Sequence, residues 1–391
     1  MQGSRMDNYL VLRKLLSSTS SIKRATSASV ADMVTLAVEQ VPHHALPELS
    51  RDPEVVAITP PMATKLIHPF HSTSIQPTSG DAWGIAAVNA DRSPFTGAGV
   101  TVAVLDTGID KSHPAFAGVE IIEQDFTGEG NGDFDGHGTH CAGTILGRDV
   151  DGRRIGIARG VSRAIIGKVI GQNDGDSQMI FEGLQWALQQ RANIISMSLG
   201  FDFPGEVQKK VNAGWPVDLA TSQALEAYRG NLRLLDALMG LFKAQSAFNA
   251  APLVIAASGN ESRRTLNSQY KIAASLPAAA QDVISVAAVT PSEQKYGVAD
   301  FSNSFSLLSA PGVDVLSAWP GGTLHSLNGT SMACPHVAGV AALWWQQALD
   351  SKSPNRSWAV ASNLTAHARS DCFTDEFDAS DYGYGLVTSP C

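Results

Sequence analysis

Five short runs of apolar and mostly β-branched residues constrain the fold of this 391-residue chain more than any other feature. They are residues 100–105 (VTVAVL), 164–170 (AIIGKVI), 193–199 (NIISMSL), 253–257 (LVIAA) and 283–289 (VISVAAV). Strands that are apolar almost throughout are typical of parallel sheets buried on both faces. Helical stretches, such as residues 177–190 and 332–349, separate the runs. This alternation predicts an α/β fold, a three-layer sandwich with a mainly parallel buried sheet.

Composition excludes some classes of function. Against 37 Asp and Glu there are 28 Lys and Arg, which gives a net charge of −9. Because the chain also has no basic block, the sequence argues against nucleic acid as a partner. No apolar run is long enough to predict a membrane span. Charged residues make up 17% of the chain, below the usual quarter, so we expect much of it to be buried.

The first 78 residues differ from the rest and predict a small α+β unit that ends in a linker, ahead of a large unit over residues 79–391. Residues 29–40 (SVADMVTLAVEQ) have helical spacing, and residues 52–58 (DPEVVAI) indicate a turn into a short strand. Residues 72–80 are polar and indicate a linker.

The apolar stretch near the N-terminus does not have the features of a signal peptide. Residues 9–12 (YLVL) are followed at once by Arg13 and Lys14, so the stretch is too short and wrongly flanked. This predicts a cytoplasmic protein, or a secreted one from which a signal has already been removed.

Three glycine-rich segments hold an acid, an imidazole and a hydroxyl. They are residues 106–110 (DTGID), 135–144 (DGHGTHCAGT) and 328–339 (NGTSMACPHVAG). Asp106 directly follows the first apolar run, and the carboxyl end of a parallel strand is where sites form in such sheets. A serine such as Ser331 needs a base within hydrogen-bond reach, and a buried carboxylate must hold that base, here His137, in the right tautomer.

Donors for a developing oxyanion are also present. Asn260 follows the fourth apolar run and offers a side-chain amide. Ser331 is expected at a helix N-terminus, where free N–H groups and the helix dipole favour negative charge.

These segments, in the chain order Asp, His, Ser, resemble the subtilisin-like serine proteases (subtilases) over about residues 80–388. The resemblance implies that Asp106 orients the base, His137 acts as general base and then acid, Ser331 attacks, and Asn260 stabilises the oxyanion. It implies a serine endopeptidase that acts on protein or peptide substrates through an acyl-enzyme. The HGTHCAG sequence is most similar to the proteinase K branch, in which a buried cysteine, here Cys141, lies beneath the catalytic histidine.

The same resemblance implies the residues that bind substrate. Ser198, Leu199 and Gly200 match the strand that pairs with an extended peptide through main-chain hydrogen bonds. The other substrate-binding positions are small or apolar: Ala257, Ser258, Gly259, Pro277 and Thr330. A roomy, uncharged pocket predicts a preference for apolar or large uncharged residues before the cleaved bond.

The N-terminal unit resembles the pro-domain of the family, which serves as chaperone and intramolecular inhibitor. Residues 52–58 fit its last strand, residues 61–70 fit the tail that lies in the cleft, and the cut is expected within residues 64–80. The full chain is then a zymogen of low activity that shortens itself. The alternative is a fixed structural extension.

The sequence departs from the family at the calcium site. Secreted subtilisins carry an aspartate nine residues after the catalytic one, where this chain has Ala115, and residues 148–154 (RDVDGRR) replace the adjoining calcium loop. We therefore expect no strong calcium site, no cofactor required for the chemistry and no other metal site. Structural calcium stays open, because Asp149 and Asp151 resemble a fragment of a calcium loop, although a solvated turn with local Asp–Arg pairs is favoured.

An insertion is expected at about residues 201–251. Residues 218–228 and 231–248 have helical spacing, with a break at Gly230. The insertion could be a lid, a wall of the cleft, a docking surface for a partner, or helices that merely extend the core.

A catalytically silent subtilase fold used for binding or as a scaffold is the alternative, although all four catalytic positions are filled. An esterase of the α/β-hydrolase type is excluded, because that family runs Ser, acid, His along the chain. Cys372 and Cys391 flank a C-terminal loop, and their pairing stays open.

Overall fold

The computed structural model describes residues 6–14, 34–71, 80–244, 251–374 and 376–391. Within these ranges the strands are β1 Met6–Lys14, β2 Val34–Pro42, β3 Val55–Thr59, β4 Ala63–Leu66, β5 Phe70–His71, β6 Thr101–Asp106, β7 Glu120–Asp125, β8 Arg163–Lys168, β9 Gly175–Asp176, β10 Ile194–Met197, β11 Leu199–Phe201, β12 Leu253–Ala257, β13 Val283–Ser292, β14 Lys295–Val298, β15 Leu308–Pro311, β16 Val315–Trp319 and β17 Thr323–Asn328. The α-helices are α1 Leu46–Leu49, α2 Trp83–Ala87, α3 His137–Leu146, α4 Ser177–Gln189, α5 Phe203–Asn212, α6 Val217–Ala244, α7 Thr330–Asp350, α8 Arg356–Ala366 and α9 Ala379–Tyr382.

The central sheet has eight strands in the order β14-β13-β12-β10-β6-β8-β7, with β15 also paired to β13. Every pairing in it is parallel except that of β13 with β14. The five apolar runs of the sequence contribute β6, β8, β10, β12 and β13. The predicted α/β fold with a mainly parallel sheet is therefore confirmed.

Both faces of this sheet are covered, because alternate side chains of each strand enter different cores. Val102 and Val104 of β6 pack in the core that contains α3 and α7. Ala103 and Leu105 pack in the core that contains α4 and α6. Burial on both sides explains why the strands are apolar at nearly every position.

The N-terminal residues form a separate antiparallel sheet in the order β2-β1-β3. The prediction of a helix over residues 29–40 is wrong for its described part, since residues 34–42 form β2, and residues 29–33 lie outside the described ranges. β2 pairs with β1 along its whole length, and this non-local pairing outweighs a weak helical period in a segment rich in β-branched residues. The predicted strand after residue 52 is confirmed as β3.

Two helices, α5 and α6, follow β11. The predicted break at Gly230 is wrong, because α6 runs unbroken through that residue. Glycine is required at this position for a different reason, because a Cβ at Gly230 would overlap the hydroxyl of Thr59 in β3. Gly230 is thus a point of close approach between α6 and the N-terminal sheet.

Of the predicted linker, residues 72–79 lie outside the described ranges. Cys372 and Cys391 are both free thiols and form no disulfide. Asp149 of the turn in residues 148–154 pairs with Arg159 at 3.0 Å. No helix in the described part of the chain is both long and apolar enough to cross a membrane.

Candidate active site

Asp106 and His137 meet at the carboxyl edge of the central sheet. Asp106 is the last residue of β6, and His137 is the first residue of α3. The Nδ1 atom of His137 lies 2.7 Å from Oδ1 of Asp106, and both side chains are fully buried. Because an ionised carboxylate only accepts, His137 Nδ1 carries the proton and donates it, which leaves Nε2 as the basic atom.

The surroundings of His137 favour its protonated form. Burial alone lowers the pKa of His137, but the neighbouring Asp106 carboxylate raises it, so that the pKa of His137 lies well above the usual value. Cys141 Sγ is 3.8 Å from the same Nδ1 atom. Burial raises the pKa of the Cys141 thiol, so this group is neutral at pH 7 and Asp106 supplies the charge.

Ser331 is the second residue of α7, and its hydroxyl is hydrogen-bonded to backbone carbonyls and not to the imidazole. Its Oγ donates to the carbonyl of Ile67 at 3.1 Å, with the Ser198 carbonyl at 3.3 Å. Nε2 of His137 is buried and has no hydrogen-bond partner among the described residues. The acid–imidazole contact is therefore made, while a carbonyl from the N-terminal part of the chain takes the serine hydroxyl.

Asn260 lies beside Ser331 and is held in one orientation by Thr330. Its Oδ1 accepts from both the backbone N–H and the hydroxyl of Thr330, each at 2.9 Å. The Thr330 hydroxyl in turn accepts from the N–H of Gly259 at 3.1 Å. The Nδ2 atom of Asn260 is thus directed outward, where it donates to the carbonyl of His68 at 3.1 Å. Thr330, expected to bind substrate, makes its hydrogen bonds with Asn260 and Gly259.

The predicted substrate strand is occupied by residues of the same chain. β11 pairs antiparallel with β4, in the register Leu199 with Leu66 and Gly200 with Lys65. β9 pairs with the other edge of β4, so β4 is the middle strand of a three-stranded sheet. Ser198 precedes β11 and donates its hydroxyl to the Ser331 carbonyl at 3.0 Å.

The side chain of Ile67 lies next to Gly200 of the predicted substrate strand and is only 2% exposed. A Cβ at Gly200 would lie 3.4 Å from Cγ1 of Ile67, so this glycine leaves room for the side chain. The other predicted lining residues end β12 or follow it in buried loops, namely Ala257, Ser258, Gly259 and Pro277. The N–H of Phe201 donates to the carbonyl of Leu276 at 3.0 Å, which ties the loop before Pro277 to β11.

A buried carboxylate that sequence reasoning missed fixes the geometry around Asp106 and His137. Asp133 is 9% exposed. Its Oδ1 accepts from the hydroxyl of Thr107 at 2.9 Å, and its Oδ2 accepts from the hydroxyl of Thr139 at 2.6 Å. Further donors are the backbone N–H groups of Asp135, Gly136 and Thr139. The only sequence signal for this role is an acid four residues before His137 in a glycine-rich segment.

Two histidines of the sequence motifs are held by backbone carbonyls. Burial, and then His137, lowers the pKa of His140 to about 3, and its Nε2 lies 3.0 Å from the Val315 carbonyl. Burial lowers the pKa of His336 to about 4, and its Nδ1 lies 2.8 Å from the Met332 carbonyl. Both are therefore neutral at pH 7 and structural.

The fold and this site define a class of α/β protein in which acid, imidazole and serine follow one another in that order along the chain. Comparison with known protein families identifies the family to which this class corresponds. The sequence profile of peptidase S8, the subtilase family, matches residues 97–385. The chain belongs to the subtilase family.

Individual relatives are bacterial and fungal. Subtilisin DY of Bacillus licheniformis is 32% identical over 312 residues, which are 78% of this chain and 96% of the relative. The major intracellular serine protease of Bacillus subtilis is 34% identical over 260 residues, 63% of this chain and 68% of the relative. Subtilisin-like protease 6 of Trichophyton soudanense is 32% identical over 301 residues, 74% of this chain. The chain spans 62% of the length of that fungal relative.

Proposed function

We propose that this chain is a serine endopeptidase that hydrolyses peptide bonds through an acyl-enzyme. The observation that carries the proposal is the buried 2.7 Å contact between Asp106 and His137, next to a serine at a helix N-terminus. An extended peptide segment lies in the same cleft, paired with β11. Main-chain pairing of this kind is one way in which proteins bind extended peptides.

In the proposed reaction, Ser331 Oγ attacks the carbonyl carbon of the substrate while His137 Nε2 takes the hydroxyl proton. Asp106 keeps the other ring nitrogen protonated and stabilises the imidazolium that forms. His137 then gives the proton to the leaving amine, and later serves as base when water hydrolyses the acyl-enzyme.

Asn260 is proposed to stabilise the oxyanion in both tetrahedral intermediates. Because Thr330 holds Oδ1, the Nδ2 donor is already directed into the cleft and needs no reorientation during the reaction. Loss of one such donor costs about 100- to 1000-fold in kcat.

We further propose that residues 61–70, here called the tail, keep the full chain latent as the end of a pro-domain. Two successive carbonyls of the tail accept hydrogen bonds from the catalytic residues. The carbonyl of Ile67 accepts from the Ser331 hydroxyl, and the carbonyl of His68 accepts from Nδ2 of Asn260. A carbonyl must meet the nucleophile and the oxyanion donor together to react. Because neither carbonyl meets both groups, the arrangement supports latency, and we propose that self-cleavage within residues 64–80 is slow.

The N-terminal sheet, β1 to β3, supports the same proposal because it docks on α6 next to the cleft. Asn231 Nδ2 donates to the Thr59 hydroxyl at 3.2 Å and to the Pro60 carbonyl at 3.1 Å. The docked sheet delivers the tail to β11. On this proposal, part of the predicted insertion is a docking surface for the chain's own N-terminal unit.

The experiment compares the full chain with its Ser331→Ala variant by mass spectrometry during incubation. We expect the parent to shorten within residues 64–80 and to react with a serine-directed phosphonate, and the variant to do neither. Cutting of the variant at the same site would show that another protease is responsible. A parent that neither reacts with the phosphonate nor hydrolyses peptides would instead be the silent scaffold.

The expectations about the cellular compartment, the cofactor and a nucleic-acid partner stay predictions. The expected absence of a nucleic-acid partner rests on the net charge of −9. The expected loss of the strong calcium site rests on Ala115, a buried methyl group in place of a carboxylate ligand.

A further inference from the structure

An acid at the end of the strand that binds the tail pairs with a basic residue of the tail. Asp202 directly follows β11, and its Oδ1 lies 2.8 Å from Nζ of Lys65. The backbone N–H of Asp202 also donates to the carbonyl of Ala63 at 3.1 Å, so main-chain contact with the tail continues to this residue. The two charged side chains are 27% and 29% exposed, so water screens the pair only in part.

The position of Lys65 can be counted from the nucleophile. The carbonyl that faces Ser331 Oγ belongs to Ile67, so Lys65 is the third residue upstream of the Ile67–His68 bond. The register of Gly200 with Lys65 places the third residue of a bound strand beside the end of β11. The Ser198–Ser331 hydrogen bond fixes β11 relative to the nucleophile, so a substrate that replaces β4 meets Asp202 at the same position.

The carboxylate is held in place without help from the tail. Asp202 is the N-cap of α5, and its side chain accepts from the N–H of Gly205 at 3.2 Å. A Cβ at Gly205 would overlap this carboxylate, so the cap fits closely against the helix. Glu206 in the first turn pairs with Lys210, so of these two acids Asp202 is the one that pairs with the tail. A carboxylate fixed in advance loses little entropy when a cation binds.

We propose that Asp202 makes this enzyme select substrates with lysine or arginine three residues before the cleaved bond. The inference rests on the proposed endopeptidase function. Leu66 and Ile67 are both buried, so the preferred substrate carries apolar residues at the second and first positions and a basic residue at the third. The substrate class is therefore a polypeptide with a basic–apolar–apolar sequence.

The test uses the purified full chain, incubated until its activity is constant, and fluorogenic peptides ending in Thr-Lys-Leu-Ile before the cleaved bond. Matched peptides carry Ala or Glu in place of Lys. We expect kcat/KM for the Lys peptide to exceed that for the Ala peptide by about threefold, and that for the Glu peptide by about tenfold. The preference should weaken in about 0.5 M salt, because the pair is partly exposed.

Asp202→Asn separates charge from structure, because asparagine caps a helix as well as aspartate does. In this variant the ratio between the Lys and Glu peptides should fall to about one. Glu206→Gln is the matched control, since it removes a charge from the same helix end at a residue paired with Lys210. Its ratio should stay close to that of the parent.

Three results would overturn the inference. Hydrolysis of the Lys and Glu peptides at rates within about twofold of each other in the parent would do so and leave the endopeptidase intact. If lysine raised kcat/KM only at the second or fourth position before the cleaved bond, the proposed register of substrate with β11 would be refuted. Failure to hydrolyse any peptide, together with an unlabelled Ser331, would overturn both the inference and the proposed function.

Discussion

The hydroxyl of Ser331 is hydrogen-bonded to the carbonyl of Ile67, 264 residues earlier in the chain, at 3.1 Å. The imidazole that would activate this hydroxyl, His137, is already hydrogen-bonded to Asp106. The proposed latency therefore needs no distortion of the acid–imidazole pair. It requires only that the tail remain in the cleft, and the buried side chain of Ile67 is its apolar anchor.

Replacement of that anchor by a charge should release the tail. Ile67→Glu would place an unpaired carboxylate in an apolar pocket, at a cost of several kcal/mol. We expect the uncut full chain to hydrolyse a small peptide at least about tenfold faster than the parent, measured as initial rates before any shortening is visible on a gel. Ile67→Leu should stay latent. An unchanged rate in a folded Ile67→Glu chain, or in Ile67→Gly if the first variant does not fold, would show that the tail does not limit activity.

The close approach at Gly230 offers a second way to weaken the docking of the N-terminal sheet. A methyl group there would overlap the Thr59 hydroxyl, so Gly230→Ala should raise the basal activity of the uncut chain severalfold. Gly240→Ala is the matched control, because its Cβ would meet no atom within 4 Å in the same helix. Each substitution raises helix propensity by about 1 kcal/mol, and only the first should change latency. Equal latency in both variants would contradict a docking role for this part of α6.

Asp133 should act on catalysis by positioning, since its hydrogen bonds go to the segments that carry Asp106 and His137 and not to the tail. In Asp133→Asn, the side-chain NH₂ group replaces one of the two accepting oxygens and faces hydrogen-bond donors. At least one buried donor then loses its acceptor, at a cost of about 1–3 kcal/mol. We expect kcat to fall by about 10- to 100-fold while KM changes by less than about twofold. Asp149→Asn, at an exposed ion pair, should leave both constants unchanged. A rise in KM at constant kcat would assign Asp133 to substrate binding instead.

The pH dependence of hydrolysis should report the charge of Asp106. Only neutral His137 can accept the serine proton, so kcat/KM rises with pH through the pKa of His137. The Asp106 carboxylate raises that pKa, hence Asp106→Asn should move the acid limb to lower pH while it lowers the plateau by about 10⁴-fold. Profiles of both proteins from about pH 5 to about pH 10 measure the two effects. An acid limb that moves to higher pH in the variant would mean that a different group controls it.

The sheet could be predicted because its strands are buried on both faces. A strand in that environment, such as residues 100–105, is apolar at nearly every position and can be recognised from its composition. The placement of Asp106 at the end of that run follows from the same argument. Residues 34–42, by contrast, become a strand only because β1 lies beside them, and a pairing partner leaves no mark on local periodicity.

Contacts between distant segments account for the rest of what sequence reasoning missed. Gly230 appeared to be a helix breaker because the hydroxyl that requires it, on Thr59, is remote in the chain. Nothing in the sequence distinguishes Lys65, Asp202 and Asp133 from other charged residues. Their partners become known only when the chain has folded.

The place of β4 between β11 and β9 means that a substrate cannot simply be added to the cleft; it must exchange for a strand already present. While the tail is covalently attached, it competes at an effective concentration in about the millimolar range, which few substrates reach. If the chain is cut as proposed, the same strand becomes a separate molecule whose occupancy of the cleft depends on its concentration. Dilution would then be enough to activate the enzyme.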